Sequence, residues 1–207
     1  MITNAISIQG NILTYDILER IARDEEKFQA PKDYGYQTKS EILGQLESSW
    51  GILKSQYLTF KLKSELLSDG ESGITVTRKY WMDPFLNELG YDIEKNSEGQ
   101  IINERNYFVT DRASNLNGFP VHVIGANHSL DSKYPGKRMS AHALVQEYLN
   151  NHINLYALVT NGKTLRLLRD SSLLTKISYV EFDLEKMFSE DHFSDFIMLW
   201  KLIHYTR

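Results

Sequence analysis

The chain of 207 residues contains no cysteine and only four prolines. The missing cysteine excludes a disulfide framework and any zinc site built on thiolates. No long uncharged apolar run is present, and no secretory leader is visible, so the expectation is a soluble cytoplasmic protein with no membrane partner. Positive charge is also scarce. The 23 Lys and Arg are outnumbered by 27 Asp and Glu, for a net charge of −4. That balance is not the footprint of a dedicated nucleic-acid binder. It leaves room for a local basic patch, because phosphate affinity depends on where the cations sit. The motifs of an S-adenosylmethionine-dependent adenine methyltransferase are absent too, with neither an Asn-Pro-Pro-Tyr run nor a suitable glycine cluster.

What is present is a mixture of helical and strand-like patterns. Residues 11–28 space Ile12, Leu13, Ile17, Leu18 and Ile21 as a helix would. Thr38 followed by Glu41 is a capping-box pattern that opens a long helix to about Leu67, striped by Leu43, Leu46, Trp50, Leu53, Tyr57, Phe60 and Leu67. Thr77 reads as an N-cap for a helix over residues 78–89, with Gly90 as its stop and a break expected at Asp83-Pro84.

Weak strands follow near residues 91–94 and 101–103, and a third over residues 107–110 ends at Asp111. The turn Asn117-Gly118-Phe119-Pro120 leads into a buried strand over residues 121–124. Ser140 caps the next helix. A strand over residues 155–160 meets the hairpin signal Asn161-Gly162, the return strand covers residues 164–168, and a further strand covers residues 177–182. An aromatic helix closes the chain.

This order, with Asp111, the Asn117-Gly118-Phe119-Pro120 turn and the bounded strand after it, resembles the PD-(D/E)XK nuclease core. The likeness is to the N-terminal domain of type I and type III restriction subunits. The phrase from Trp81 to Asp92, Gln146 within Gln-Glu-Tyr-Leu, and Thr160-Asn161-Gly162 resemble further motifs of that family. The C-terminal third is similar to the N-terminal region of large bacterial restriction–modification proteins of type IIG character, whose adenine methyltransferase lies further along.

The resemblance implies an α/β (α+β) fold with a mixed sheet. Residues 1–73 would form an N-terminal helical extension, and residues 74–207 a restriction-endonuclease-like domain ending in a helix. It places Asp111 at the metal-binding carboxylate and Gln146 at the glutamine after the active-site strand. The family's Glu and Lys positions are occupied by Gly125 and Asn127.

Metal-dependent hydrolysis of a phosphodiester needs carboxylates around a divalent ion and a group to activate water. With Gly125 and Asn127 in place, the expectation is a catalytically degenerate module of a restriction–modification or phage-defence methyltransferase. It would contribute DNA positioning or domain architecture, with no cofactor of its own and S-adenosylmethionine bound only in a downstream domain. Its partners would be duplex DNA, held weakly and without sequence preference, and that downstream methyltransferase domain or subunit.

Two rival readings stand beside it. One is an active Mg²⁺ endonuclease using Asp111 and a displaced Glu147. The other is a protein–protein docking module built on the long helix and the aromatic C-terminal helix. The candidate phosphate contacts are Lys133, Lys137, Arg138, Lys163, Arg166 and Arg169, with cross-strand pairing to Glu181 or Asp183 as the ordinary alternative for Arg166. His122, His128, His142 and His152 do not fall at metal-ligand spacing.

Overall fold

The computed structural model describes residues 4–172 and 178–207. Among these, seven strands form one mixed sheet: β1 (Ile6–Gln9), β2 (Ile93–Lys95), β5 (Asp111–Ala113), β6 (Phe119–Val123), β7 (Tyr156–Thr160), β8 (Thr164–Arg169) and β9 (Tyr179–Asp183). Their order is β1-β9-β8-β7-β6-β5-β2. The β6–β7 pair is parallel and its neighbours are antiparallel. A parallel pair requires a crossover, and α5 (Ala141–Asn150) supplies it. The protein is therefore an α/β protein. No helix among the described residues is long and apolar enough to cross a membrane.

The two faces of the sheet bury different things. On one face Ala113, Val121, Val123, Leu158, Leu165, Val180 and Phe182 pack against α1 (Tyr15–Ala22), α2 (Lys39–Ser64), the helical segment before β2, α6 (Leu184–Ser189) and α7 (Phe193–Ile203). On the other face Ala157, Val159 and Leu168 pack against α5. A small hairpin of β3 (Gln100–Ile102) and β4 (Arg105–Tyr107) stands apart from the main sheet.

Several local expectations need correction. The first helix is shorter than its apolar spacing suggests, because Thr14 caps it and accepts from Ile17 N–H. Thr77 is no N-cap: the helix begins earlier, with α3 (Ile74–Thr77). A π turn over Arg78–Met82 follows, and then α4 (Asp83–Glu88). The π turn explains how Pro84 is tolerated. A regular helix would drive the proline ring into the carbonyl four residues back, and one wider turn relieves that clash.

Asp111 begins β5 instead of ending a strand over 107–110, because β4 stops at Tyr107. The Asn161-Gly162 corner is not a two-residue type I′ turn. Of the two, only Gly162 has a positive φ, and the Asn161 side chain accepts from the backbone of Lys163 and Thr164 to shape a longer loop. The strand start expected at Ile177 lies outside the described residues. The long helix matches its caps closely: Thr38 Oγ1 accepts from Glu41 N–H at 3.2 Å, and Glu41 reaches back to Gln37 N–H at 2.8 Å.

Candidate functional site

The turn between β5 and β6 brings Asn117 and Gly118 into left-handed backbone, and so folds the two strands onto each other. Asp111 then lies opposite Val121. Directly opposed residues share a face, so Asp111 points where Val121 points, into the core under the helices. Its carboxylate is fully buried.

Arg78 meets it there. Nη1 donates to Oδ1 at 2.9 Å and Nη2 to Oδ2 at 2.5 Å, and the Thr110 hydroxyl donates to Oδ2 at 2.6 Å. A fork-on-fork pair of this kind satisfies both carboxylate oxygens and supplies the positive charge that a bound cation would otherwise provide. The π turn presents Arg78 at this point, and Asp83 flanks its outer side at 3.5 Å.

The positions after β6 are equally committed. A Cβ added at Gly125 would stand 1.9 Å from the carbonyl oxygen of Ser72, so this position cannot carry a glutamate without moving backbone. Asn127 donates its backbone N–H to Ser72 O at 3.3 Å and its side-chain amide to Glu71 O at 2.9 Å. Ala126 N–H donates to Thr77 Oγ1 at 2.9 Å. The end of β6 is thus sealed by residues 71–73 and the start of the helix, just where the family resemblance would require its Glu and Lys.

Glu147 lies elsewhere. It sits on α5, across the sheet from the Asp111 side chain, and pairs with Arg105 and with the Tyr107 hydroxyl. Two carboxylates on opposite faces of one sheet cannot bind a common metal ion. Gln146 acts as a brace: its amide donates to Arg169 O at 2.9 Å and to Asn150 Oδ1 at 3.0 Å, tying α5 to β8. No group of three or more His, Asp or Glu residues among those described is arranged to hold a metal.

No family model matches the chain, and neither a curated protein nor a solved structure matches it.

The cations expected at one surface are dispersed. Arg166 is buried inside the fold. It donates to both oxygens of Asp131 at 2.6 and 2.7 Å and to Glu181 at 2.6 Å, and its guanidinium lies over Tyr179. This is the cross-strand pairing with Glu181 that the sequence left as the ordinary alternative, enlarged by Asp131. The hydrogen bonds from Arg166 hold the Asp131 carboxyl below the usual range. Burial first, and the Arg166 charge second, push His142 down to about 4, so it sits neutral against the guanidinium at 3.0 Å. Burial does the same to His122, also to about 4, and its Nδ1 accepts from Thr110 N–H at 3.2 Å.

Lys163 is half-buried near Tyr57, Phe60 and Glu185 on the α2 side. Arg169 lies six residues further along β8, roughly 20 Å away on an extended strand.

Lys133, Lys137 and Arg138 remain exposed on the loop between β6 and α5. Lys137 lies 5.9 Å from the rings of both Phe108 and Tyr134. With Arg105 and Arg138 these residues edge a cleft of about 380 Å³. Asp131 belongs to the same loop, so the buried Arg166 fixes where the three cations are presented. Arg78 and this anchoring role of Arg166 escape sequence reading. Each is a lone arginine whose partner is 33 or 35 residues away, with no local pattern to mark it.

Proposed function

We propose that this chain is a catalytically silent nuclease-like module of a restriction–modification or phage-defence methyltransferase, which positions duplex DNA for a methyltransferase domain or subunit. The reading is supported by the order of helix, β2, β5, β6, α5 and β7, the arrangement expected of a PD-(D/E)XK core. It is carried by one observation above the others: the carboxylate at the expected metal position is occupied by an arginine from the same chain. A module that keeps the core while neutralising its active-site carboxylate retains shape and surface without cleavage. The exposed Lys133, Lys137 and Arg138 supply the phosphate contacts, and the Asp131–Arg166 clamp holds their loop in place.

Binding of a labelled duplex, followed by anisotropy over a salt series, tests this. On a net acidic chain the affinity expected at physiological salt is that of non-specific contacts, about 10⁻⁴ to 10⁻⁶ M. Replacing Lys133, Lys137 and Arg138 together by alanine should lower the slope of log affinity against log salt by about three units, and equally for every sequence tried. Binding that is absent at low ionic strength, or a slope unchanged in the triple variant, would remove the DNA role. The docking reading would then take its place.

A further inference from the structure

The solvent-facing side of α2 carries a pattern that the fold itself does not use. Along its outermost line, at steps of four and three, stand Gly44, Ser48, Gly51, Ser55, Leu58 and Leu62. All six are exposed, Leu58 by 51% and Leu62 by 64%. An exposed helix ordinarily places charges there; this line has none. Interior glycines weaken a helix unless something needs the space. A Cβ added at Gly44 or at Gly51 would meet nothing within 4 Å, so the described fold does not need it. Seven residues apart, the two glycines clear one strip of backbone for a close neighbour.

The charges beside the strip identify that neighbour. The N-terminal half is flanked by Glu41 and Glu47, the C-terminal half by Lys54, Lys61 and Lys63. Lys39 at the start is paired with Asp24, Lys54 also meets Asp191, and Glu65 sits at the C-cap. A parallel copy in register would set lysine against lysine. An antiparallel copy sets the acidic half against the basic half. With the two-fold axis at Gly51, Leu58 of each copy falls opposite Gly44 of the other, and Leu62 opposite Ser40. Glu47 of each copy then comes beside Lys54 of the other. Small residues receive large ones and opposite charges meet, which is what an isologous two-fold interface requires.

We infer that a second copy of this chain covers this face, forming an antiparallel α2–α2 homodimer. The inference does not depend on the DNA reading.

Because the chain has no cysteine, single introduced cysteines report the geometry directly. Under mild oxidation Gly51→Cys, at the two-fold axis, should cross-link to a dimer, and Leu62→Cys should not, since its counterpart lies far along the partner helix. In sedimentation the unmodified protein should dimerise with a dissociation constant on the order of micromolar, as for a modest interface. Leu58→Glu with Leu62→Glu should weaken that by about a hundredfold or more. Both changes are on solvent-facing residues, so an unchanged circular dichroism melt of the dilute monomer verifies folding. A wild-type protein still monomeric at about a hundred times that concentration would overturn the inference. Equal cross-linking of Gly51→Cys and Leu62→Cys would overturn the antiparallel arrangement.

Discussion

Replacing Arg78 by methionine should lower the stability of the protein by about 3–5 kcal/mol, among the largest effects of any single change. The reason is the state in which it leaves Asp111. That carboxylate is fully buried beneath the helices, and Arg78 contacts both of its oxygens. Without the guanidinium, the Thr110 hydroxyl is the side-chain donor left to Asp111 among the described residues. The carboxylate must then either stay charged in an apolar surrounding or take up a proton. Removing the partner as well changes the sign of the argument. The double variant Arg78→Met with Asp111→Leu replaces an ion pair by hydrophobic residues, and exchanges of that kind are often neutral. Urea unfolding of the two single variants and the double variant gives the coupling directly. A loss below about 1 kcal/mol for Arg78→Met alone would show that the pair does not hold the core as described.

Gly125→Glu, which would place a carboxylate where a PD-(D/E)XK core carries its glutamate, should destabilise severely without creating activity. The Cβ alone would stand 1.9 Å from the Ser72 carbonyl oxygen and 2.5 Å from its carbon. These are backbone atoms, so relief means displacing residues 71–73. That displacement would also break the hydrogen bonds Asn127 makes to Ser72 and Glu71. Overpacking together with two lost hydrogen bonds amounts to roughly 3 kcal/mol or more. In a domain of this length that corresponds to a drop in Tm of about 6–12 °C. Gly125→Ala should show most of the effect, because the clash begins at Cβ. A variant that melts with the wild type would mean that residues 71–73 yield freely, and that the end of β6 is not sealed.

The parts of this structure legible in the sequence are those fixed by local rules. The Thr38 cap and the spacing of Leu46, Leu53, Tyr57 and Phe60 define α2, and all four side chains are buried, whereas Leu43 of the same stripe is exposed and Leu67 lies past the helix end at Ser64. The turn at Asn117 and Gly118 and the β-branched run after it define the β5–β6 pair. Where local signals are faint, the reading slips. Asn103 and Glu104 make the β3–β4 turn with positive φ at both residues, a conformation usually marked by glycine. Without that mark, residues 107–110 read as one strand running into Asp111. The departures at Gly125 and Asn127 were visible as missing chemistry. What fills their place was not, since Ser72 reaches these positions from more than fifty residues earlier in the chain, and Arg78 reaches Asp111 across 33. Contacts of that range follow from how α3, the π turn and the sheet pack, and no periodicity encodes them.

Incubation of the purified protein with supercoiled plasmid and Mn²⁺ tests the central claim most directly, because Mn²⁺ supports metal-dependent cleavage with the least demand on the ligands. With Arg78 occupying Asp111 and Glu147 across the sheet, the metal stabilisation of the transition state is missing. That costs several kcal/mol, or a thousandfold and more in rate. The plasmid is predicted to remain supercoiled. Nicking or linearisation by the wild-type protein that disappears in Asp111→Ala would contradict the account and establish an active nuclease.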